Sequence, residues 1–223
     1  MGKLTFIAAM AAIAVATPAF AGSPDGRWQV KVLATGVLPD GKIVDLRKNA
    51  AGIPAASQTR AGDNVVPTLA VEYYATPDIS VETICCLTQH HVDGAGPLAG
   101  TRIVDHVLIL PATMTLKYHL NAGPVRPYFG AGPSLFLIFG EKPGATMRAL
   151  GATRLKMSDE IGVALQAGVD VAVNDSGMGL SLDAKKYFMD TTLHAYTAAG
   201  TEVLATKHSL DPWVVSGGVY FRF

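Results

Sequence analysis

The chain has 223 residues, with 18 Lys and Arg against 18 Asp and Glu, so its formal net charge is zero. No basic run exists, which speaks against nucleic acid as a partner. Hydrophobic residues make up 49% of the chain and charged ones only 16%, yet beyond the first 21 residues no stretch of about 18 apolar residues appears, so no membrane-spanning helix is expected.

Residues 1–21 read as a secretory signal peptide. Lys3 is a short basic start, Leu4 to Ala16 an apolar run, and Ala19-Phe20-Ala21 a small-x-small cleavage site. An exported, apolar chain without a spanning helix points to an outer-membrane barrel over residues 22–223. The cysteines Cys85 and Cys86 are adjacent. In a strand they face opposite ways and cannot close an ordinary disulfide without distorting the backbone. They read as two packing residues.

Strands follow in chain order, each from alternation of apolar and polar positions. The first runs from Trp28 to Thr35, the second from Val65 to Ala75 and the third from Ile79 to Leu87. The fourth covers Ile103 to His119, the fifth Arg126 to Phe139 and the sixth Ser158 to Val173. The seventh covers Met178 to about Asp190, and the eighth Leu210 to Phe223. Thr76-Pro77-Asp78, Asn121-Ala122-Gly123-Pro124 and Asn174-Asp175-Ser176-Gly177 are tight turns. The other connections are long, and the two kinds alternate. Such alternation predicts an all-β fold: an eight-stranded antiparallel transmembrane β-barrel with short periplasmic turns and long external loops. A two-sheet sandwich gives no reason to segregate loop lengths.

With the apolar face turned to lipid, the alternate residues enter the lumen. The inward charges are Lys31, Glu72, Glu82, Lys117, Asp170, Asp183, Lys185 and Arg222. They gather toward the periplasmic end, Lys185 highest, and should pair into a floor, because an isolated buried charge is expensive. Further out the inward positions turn apolar: Val66, Thr68, Ile84, Val107, Ile109, Pro111 and Val214. A dry funnel over a charged floor suits a small hydrophobic solute; an ion channel would need a polar lining throughout. Pro67, Pro111 and Pro133 fall inside strands, where they loosen or bulge the wall. Trp28, Tyr73, Tyr118, Tyr128, Trp213 and Phe223 read as interface-girdle aromatics. No histidine sits in a nucleophile motif, so no enzyme is expected. His90 and His91 beside Asp93 lack a second spaced pair of ligands and read as a solvated loop rim; no metal or cofactor is expected.

Several segments in order and spacing resemble the OmpW family of small outer-membrane barrels. They are Val65-Val66-Pro67, Leu110 to His119, Arg126 to Gly132, Ala164 to Asp170, Asp183 to Lys186, and Asp211-Pro212-Trp213. The resemblance spans nearly the whole chain after residue 21. It implies a hydrophobic channel that passes small apolar molecules laterally into the membrane; some members serve as bacteriocin receptors. It adds Ile161 to the channel lining, where many members carry Trp, and Ala112 stands where a second proline is common. Ser216-x-Gly218-x-x-Phe221-x-Phe223 resembles the signal read by the barrel-insertion machinery, with Phe221 and Phe223 as its partner-facing residues. The expected partners are thus outer-membrane lipid and lipopolysaccharide, that machinery, and a small hydrophobic solute. The alternative is a structural or receptor barrel, binding bacteriocin or phage, with no transport.

Overall fold

The computed structural model describes residues 22–223, and the expected signal peptide lies outside them. Fourteen strands, one short α-helix and a 3-10 turn at Gly96–Leu98 follow among the described residues: β1 Trp28–Leu38, β2 Lys42–Asn49, β3 Gln58–Ala61, β4 Asn64–Tyr74, β5 Ile79–Cys85, β6 Thr88–Ala95, β7 Arg102–His119, β8 Val125–Pro143, α1 Ala145–Ala149, β9 Arg154–Met157, β10 Glu160–Ala172, β11 Met178–Phe188, β12 Asp190–Tyr196, β13 Glu202–Ser209 and β14 Trp213–Arg222.

Eight of the strands close on themselves in the order β1-β4-β5-β7-β8-β10-β11-β14, all antiparallel, with β1 against β14 and β7 against β8 completing the ring. Closure pairs each of the eight strands with a neighbour on both sides over most of its length. The tight turns after β4, β7 and β10 and the paired ends of β1 and β14 (Gln29 opposite Arg222) mark one end of the barrel, called the turn end; the long connections mark the loop end. The Asn174 turn works locally: its side-chain oxygen accepts the N–H groups of Ser176 and Met178, and Gly177 supplies the positive φ of 75° that a side chain would resist.

Period-two alternation decides what each face meets. From Pro111 to His119 every odd residue is buried and every even residue exposed. Val32, Leu69, Met114, Leu116, Val163, Leu165, Leu180, Leu182, Val215 and Val219 stand exposed on the outer wall, while Lys31, Glu72, Glu82, Lys117, Asp170 and Lys185 are buried inside. This inverts a soluble protein and fits a wall solvated by hydrocarbon. Trp28 packs on Tyr73 with ring centroids 4.9 Å apart, and Tyr118 on Phe129 at 5.6 Å, forming an aromatic rim at the turn end. The side chain of Cys85 lies outside the described residues.

The long connections are not bare loops. β2, β13, β12 and β9 form a second antiparallel sheet, and β6 extends the barrel wall along β7, with β3 on its edge. The sequence alone places these segments in long connections, because each is short and mixes polar with apolar residues. Their apolar residues find partners only in tertiary packing. Met147 of α1, Leu155 and Met157 of β9, Leu193 of β12 and Leu204 of β13 join Val104, Val107, Phe136 and Val214 of the barrel in one buried core. The loop end is therefore capped by packed structure.

Candidate functional site

The lumen holds a charged plug toward the turn end. Lys31 Nζ lies 3.3 Å from Glu72, 3.4 Å from Glu82 and 3.1 Å from Asp170. Lys117 Nζ reaches Glu72 at 2.8 Å and Glu82 at 2.9 Å. Lys185 donates to Glu82 at 3.0 Å and to Asp183 at 2.7 Å. Neutral groups fill the remaining valences. Gln166 donates to Glu82 and Asp183 and accepts from Thr115; Ser181 donates to Asp170; Gln29 donates to Asp170 at 2.9 Å. Tyr128 crosses the lumen, donates its hydroxyl to Asp183 at 2.8 Å, and offers its ring face to Lys117 at 3.7 Å and Lys31 at 4.7 Å. It has room because it pairs with Gly168 across the ladder, where a Cβ would strike the hydroxyl. Three lysines interlocked with four carboxylates, each with two or more partners, present a desolvation barrier to anything passing through.

At the lower edge of the plug, Ser80 Oγ is 2.8 Å from His119 Nε2, and Glu72 is 2.9 Å from the same atom. His119 Nδ1 has no partner among the described residues. A serine–histidine–carboxylate relay needs its two partners on opposite ring nitrogens; both lie on one here, so the cluster is not wired for nucleophilic catalysis.

Above the plug, Thr113 bonds Ser134 at 2.6 Å and Tyr187 at 3.2 Å, and Thr35 bonds Ser216 at 2.8 Å. Beyond this hydroxyl belt the lumen is mostly apolar. Ile109, Pro111, Phe136, Met189, Leu210 and Val214 surround a cavity of about 30 Å³, little more than the volume of one water. The open funnel expected from the sequence is thus a filled chamber. Phe136, Tyr187 and Met189 occupy the lumen from within, and the loop-end core closes over it.

The wall beside this chamber is incomplete. β4 pairs with β5 from Tyr74 to Leu69, opposite Cys85, and no further. β7 pairs with β5 as far as Thr113, then with β6 from Ile109 onward, so Pro111 sits at the changeover. Residues 64–68 of β4 therefore bond to β1 on one side and have no ladder pairing on the other among the described residues. What spans the gap is the Asn64 side-chain amide donating to the Gln89 carbonyl at 2.7 Å and, beyond it, Gly62 N–H to the His91 carbonyl at 2.9 Å. Pro67 lies within the unpaired stretch and has no N–H to offer. Cys86, Thr88 and His90 line the chamber next to the gap.

The structure brings together most residues singled out from the sequence and relocates others. Lys31, Glu72, Glu82, Lys117, Asp170, Asp183 and Lys185 meet in the plug. Arg222 is inside and 4% exposed but joins no ion pair among the described residues; its Nε donates to the Gly26 carbonyl at 2.6 Å. Thr68, Ile84, Val107 and Val214 are buried, and Val66 and Ile109 half-buried. Ile161 is a correction: it is 78% exposed on the outer wall, because it shares its parity with Val163 and Leu165, and parity overrides the position taken from the family pattern. Tyr128 is a second correction, 3% exposed in the plug instead of at the girdle. His90 is a third: it is buried, with Nδ1 2.7 Å from the Gly62 carbonyl and Nε2 3.0 Å from Thr88. Gln29, Ser80, His119, Gln166 and Ser181 were missed as plug members. Each stands two or four residues from a named charge on the same strand, so parity alone identifies them.

A closed eight-stranded barrel with an apolar exterior, aromatic rings at its rim and its charges shut inside is a bacterial outer-membrane β-barrel. The OmpW family profile matches residues 24–223, and the chain belongs to that family. It is 30% identical to the outer-membrane protein y4mB of Sinorhizobium fredii over 233 residues, which covers 100% of this chain and 94% of y4mB. It is 28% identical to the dibenzothiophene metabolism operon protein PahQ of Pseudomonas aeruginosa, over 94% of this chain and 93% of PahQ. Its fold matches the outer membrane protein OprG of Pseudomonas aeruginosa with a TM-score of 0.78 at 22% identity, over 91% of this chain and 98% of OprG. The turn end is thus periplasmic and the loop end external.

Proposed function

We propose that the barrel admits small hydrophobic molecules at its external end and releases them sideways into the outer membrane. The observation that carries this reading is the unpaired stretch of β4, residues 64–68, standing level with the apolar chamber and above the charged plug. A solute in the chamber has an apolar exit beside it and a costly layer of paired charges beneath it. Pro67 and Pro111 keep ladder bonds from sealing the exit. Met189 in the chamber supports the reading, since its unbranched side chain yields to solutes of irregular shape. So does the likeness to PahQ, named for a dibenzothiophene metabolism operon; dibenzothiophene is a flat, apolar heterocycle. The function needs no covalent chemistry and no cofactor. Assembly is assigned to the closing strand, through Phe221 and Phe223, whose rings stack at 5.8 Å.

A second reading, a structural or receptor barrel whose external sheet is the working surface, is favoured by the filled chamber and the packed cap. Uptake of a fluorescent polycyclic solute into lipopolysaccharide-containing vesicles separates the two. Transport predicts faster uptake with protein than without, lost in Ile109→Asp, which sets an uncompensated carboxylate beside the chamber. Equal uptake by wild type and protein-free vesicles would leave the receptor reading standing.

A further inference from the structure

The periplasmic end of the barrel opens into a vestibule of about 570 Å³, separate from the chamber and below the plug. Three guanidinium groups line it, from Arg27, Arg126 and Arg222, against one carboxylate, Asp25. Two of the three are built in. The Arg222 guanidinium lies 3.7 Å from the Tyr74 ring centroid, and that of Arg126 lies 5.4 Å from the same ring. Both are held by neutral acceptors. Arg222 donates to the Gly26 carbonyl at 2.6 Å; Arg126 donates to the Asn121 side-chain oxygen at 3.0 Å and to the Pro77 carbonyl at 2.7 Å. Neither forms an ion pair with a carboxylate among the described residues.

Arg222 adds a second, independent sign. It is 4% exposed, and its Nη1 has no hydrogen-bond partner among the described residues. Every lysine of the plug, only one strand layer above, meets at least two carboxylates. A buried cation left without a counter-charge is expensive, and a guanidinium fork is shaped for the paired oxygens of a carboxylate or phosphate. The cavity is large enough to hold such a group on a small molecule, and its lining comes from the turn end of the barrel.

We infer that the vestibule binds a small soluble oxyanion, a phosphate or carboxylate, clasped by Arg126 and Arg222. This goes beyond the hydrophobic route and does not depend on it: the two sites lie on opposite sides of the plug.

The test is titration of the full barrel in zwitterionic lipid nanodiscs with inorganic phosphate, followed by the arginine side-chain NMR resonances, with chloride at equal ionic strength as reference. The expected result is saturable one-site binding. It should weaken at least tenfold in Arg126→Gln and in Arg222→Gln and stay unchanged in Lys186→Gln, whose side chain lies over Trp213, away from the vestibule. Arg222 belongs to the closing strand, so Arg126→Gln, beside a turn, decides the matter if Arg222→Gln fails to assemble. Binding that does not saturate, that chloride reproduces, or that Arg126→Gln leaves intact overturns the assignment. So does a response that appears only in anionic-lipid nanodiscs, which would mark a headgroup as the source.

Discussion

The two halves of the lumen draw on the same eight strands, with Met189, Leu210 and β6 adding to the external half, yet they meet the cost of burial in opposite ways. The periplasmic half keeps ionised groups and surrounds each with several partners: Glu82 alone touches Lys31, Lys117 and Lys185. The external half is mostly apolar, filling space with Phe136, Met189, Leu210 and Val214 and keeping Thr88 and His90 as polar lining. A strand can thus change the chemistry of its inner face along its length without changing register. The consequence is directional. A hydrophobic solute tolerated in the upper half meets a layer below that it cannot solvate, and beside it stand residues 64–68 of β4, which have no ladder pairing toward β5 among the described residues.

The strongest way to break this comparison is to remove a cation from the plug. Lys31→Met leaves Glu72, Glu82 and Asp170 short of a shared partner in a site closed to water. Uncompensated buried charge of this kind costs roughly 3–5 kcal/mol. Urea unfolding of the barrel refolded in lipid vesicles should show that loss. Adding Asp170→Asn should recover part of it, because the charge count is restored and an amide can still serve Ser181 and Gln29. A single substitution costing less than about 1 kcal/mol, the range of an exposed pair, would mean the plug is wet.

A second, somewhat smaller effect separates the external sheet from the barrel. His208 on β13 is buried, with Nδ1 3.1 Å from Thr59 and Nε2 2.7 Å from Thr206. Burial pushes its pKa down to about 4, against a weaker opposing pull from the Gly41 carbonyl. The unfolded segment, with an ordinary value near 6.5, binds more protons than the folded one between those limits, so stability rises with pH there. The sheet should hold its full stability above about pH 6.5 and lose on the order of 3 kcal/mol as pH falls toward 4. Hydrogen exchange of the β2 and β13 amides at pH 7 and pH 4.5 reads this directly. The barrel strands should not follow, and His208→Gln should flatten the dependence.

The barrel is legible in the sequence because a closed transmembrane wall enforces strict parity, and parity is a local signal. Val215, Val219 and the inward Lys185 and Asp183 could be sorted from the strands that carry them. Contacts across the lumen are not local. Nothing in the sequence near Tyr128 says that Gly168 leaves it space to reach Asp183, or that Arg222 would stand apart from the other charges. The external sheet was hidden for a related reason. β2, β9, β12 and β13 are 8, 4, 7 and 8 residues long, too short and mixed to declare themselves before they pack. Ile161 shows the reverse hazard, where a borrowed family position outweighed the parity of its own strand.

The boundary between the halves offers the smallest and sharpest test. Thr113 bonds Ser134 and Tyr187, and all three are buried where the plug gives way to the chamber. Thr113→Val keeps the shape and removes the shared hydroxyl. If the belt behaves as the last layer of the polar half, Ser134 and Tyr187 are left unsatisfied, at a cost of about 1–2 kcal/mol. Replacing all three with Val, Ala and Phe removes every stranded group and should return stability to within about 1 kcal/mol of the original protein. That non-additivity, read by the same urea unfolding, is what distinguishes a hydrogen-bonded belt from simple packing. An unchanged Thr113→Val would shift the start of the apolar half one layer toward the periplasm, and with it the depth at which a solute must turn aside.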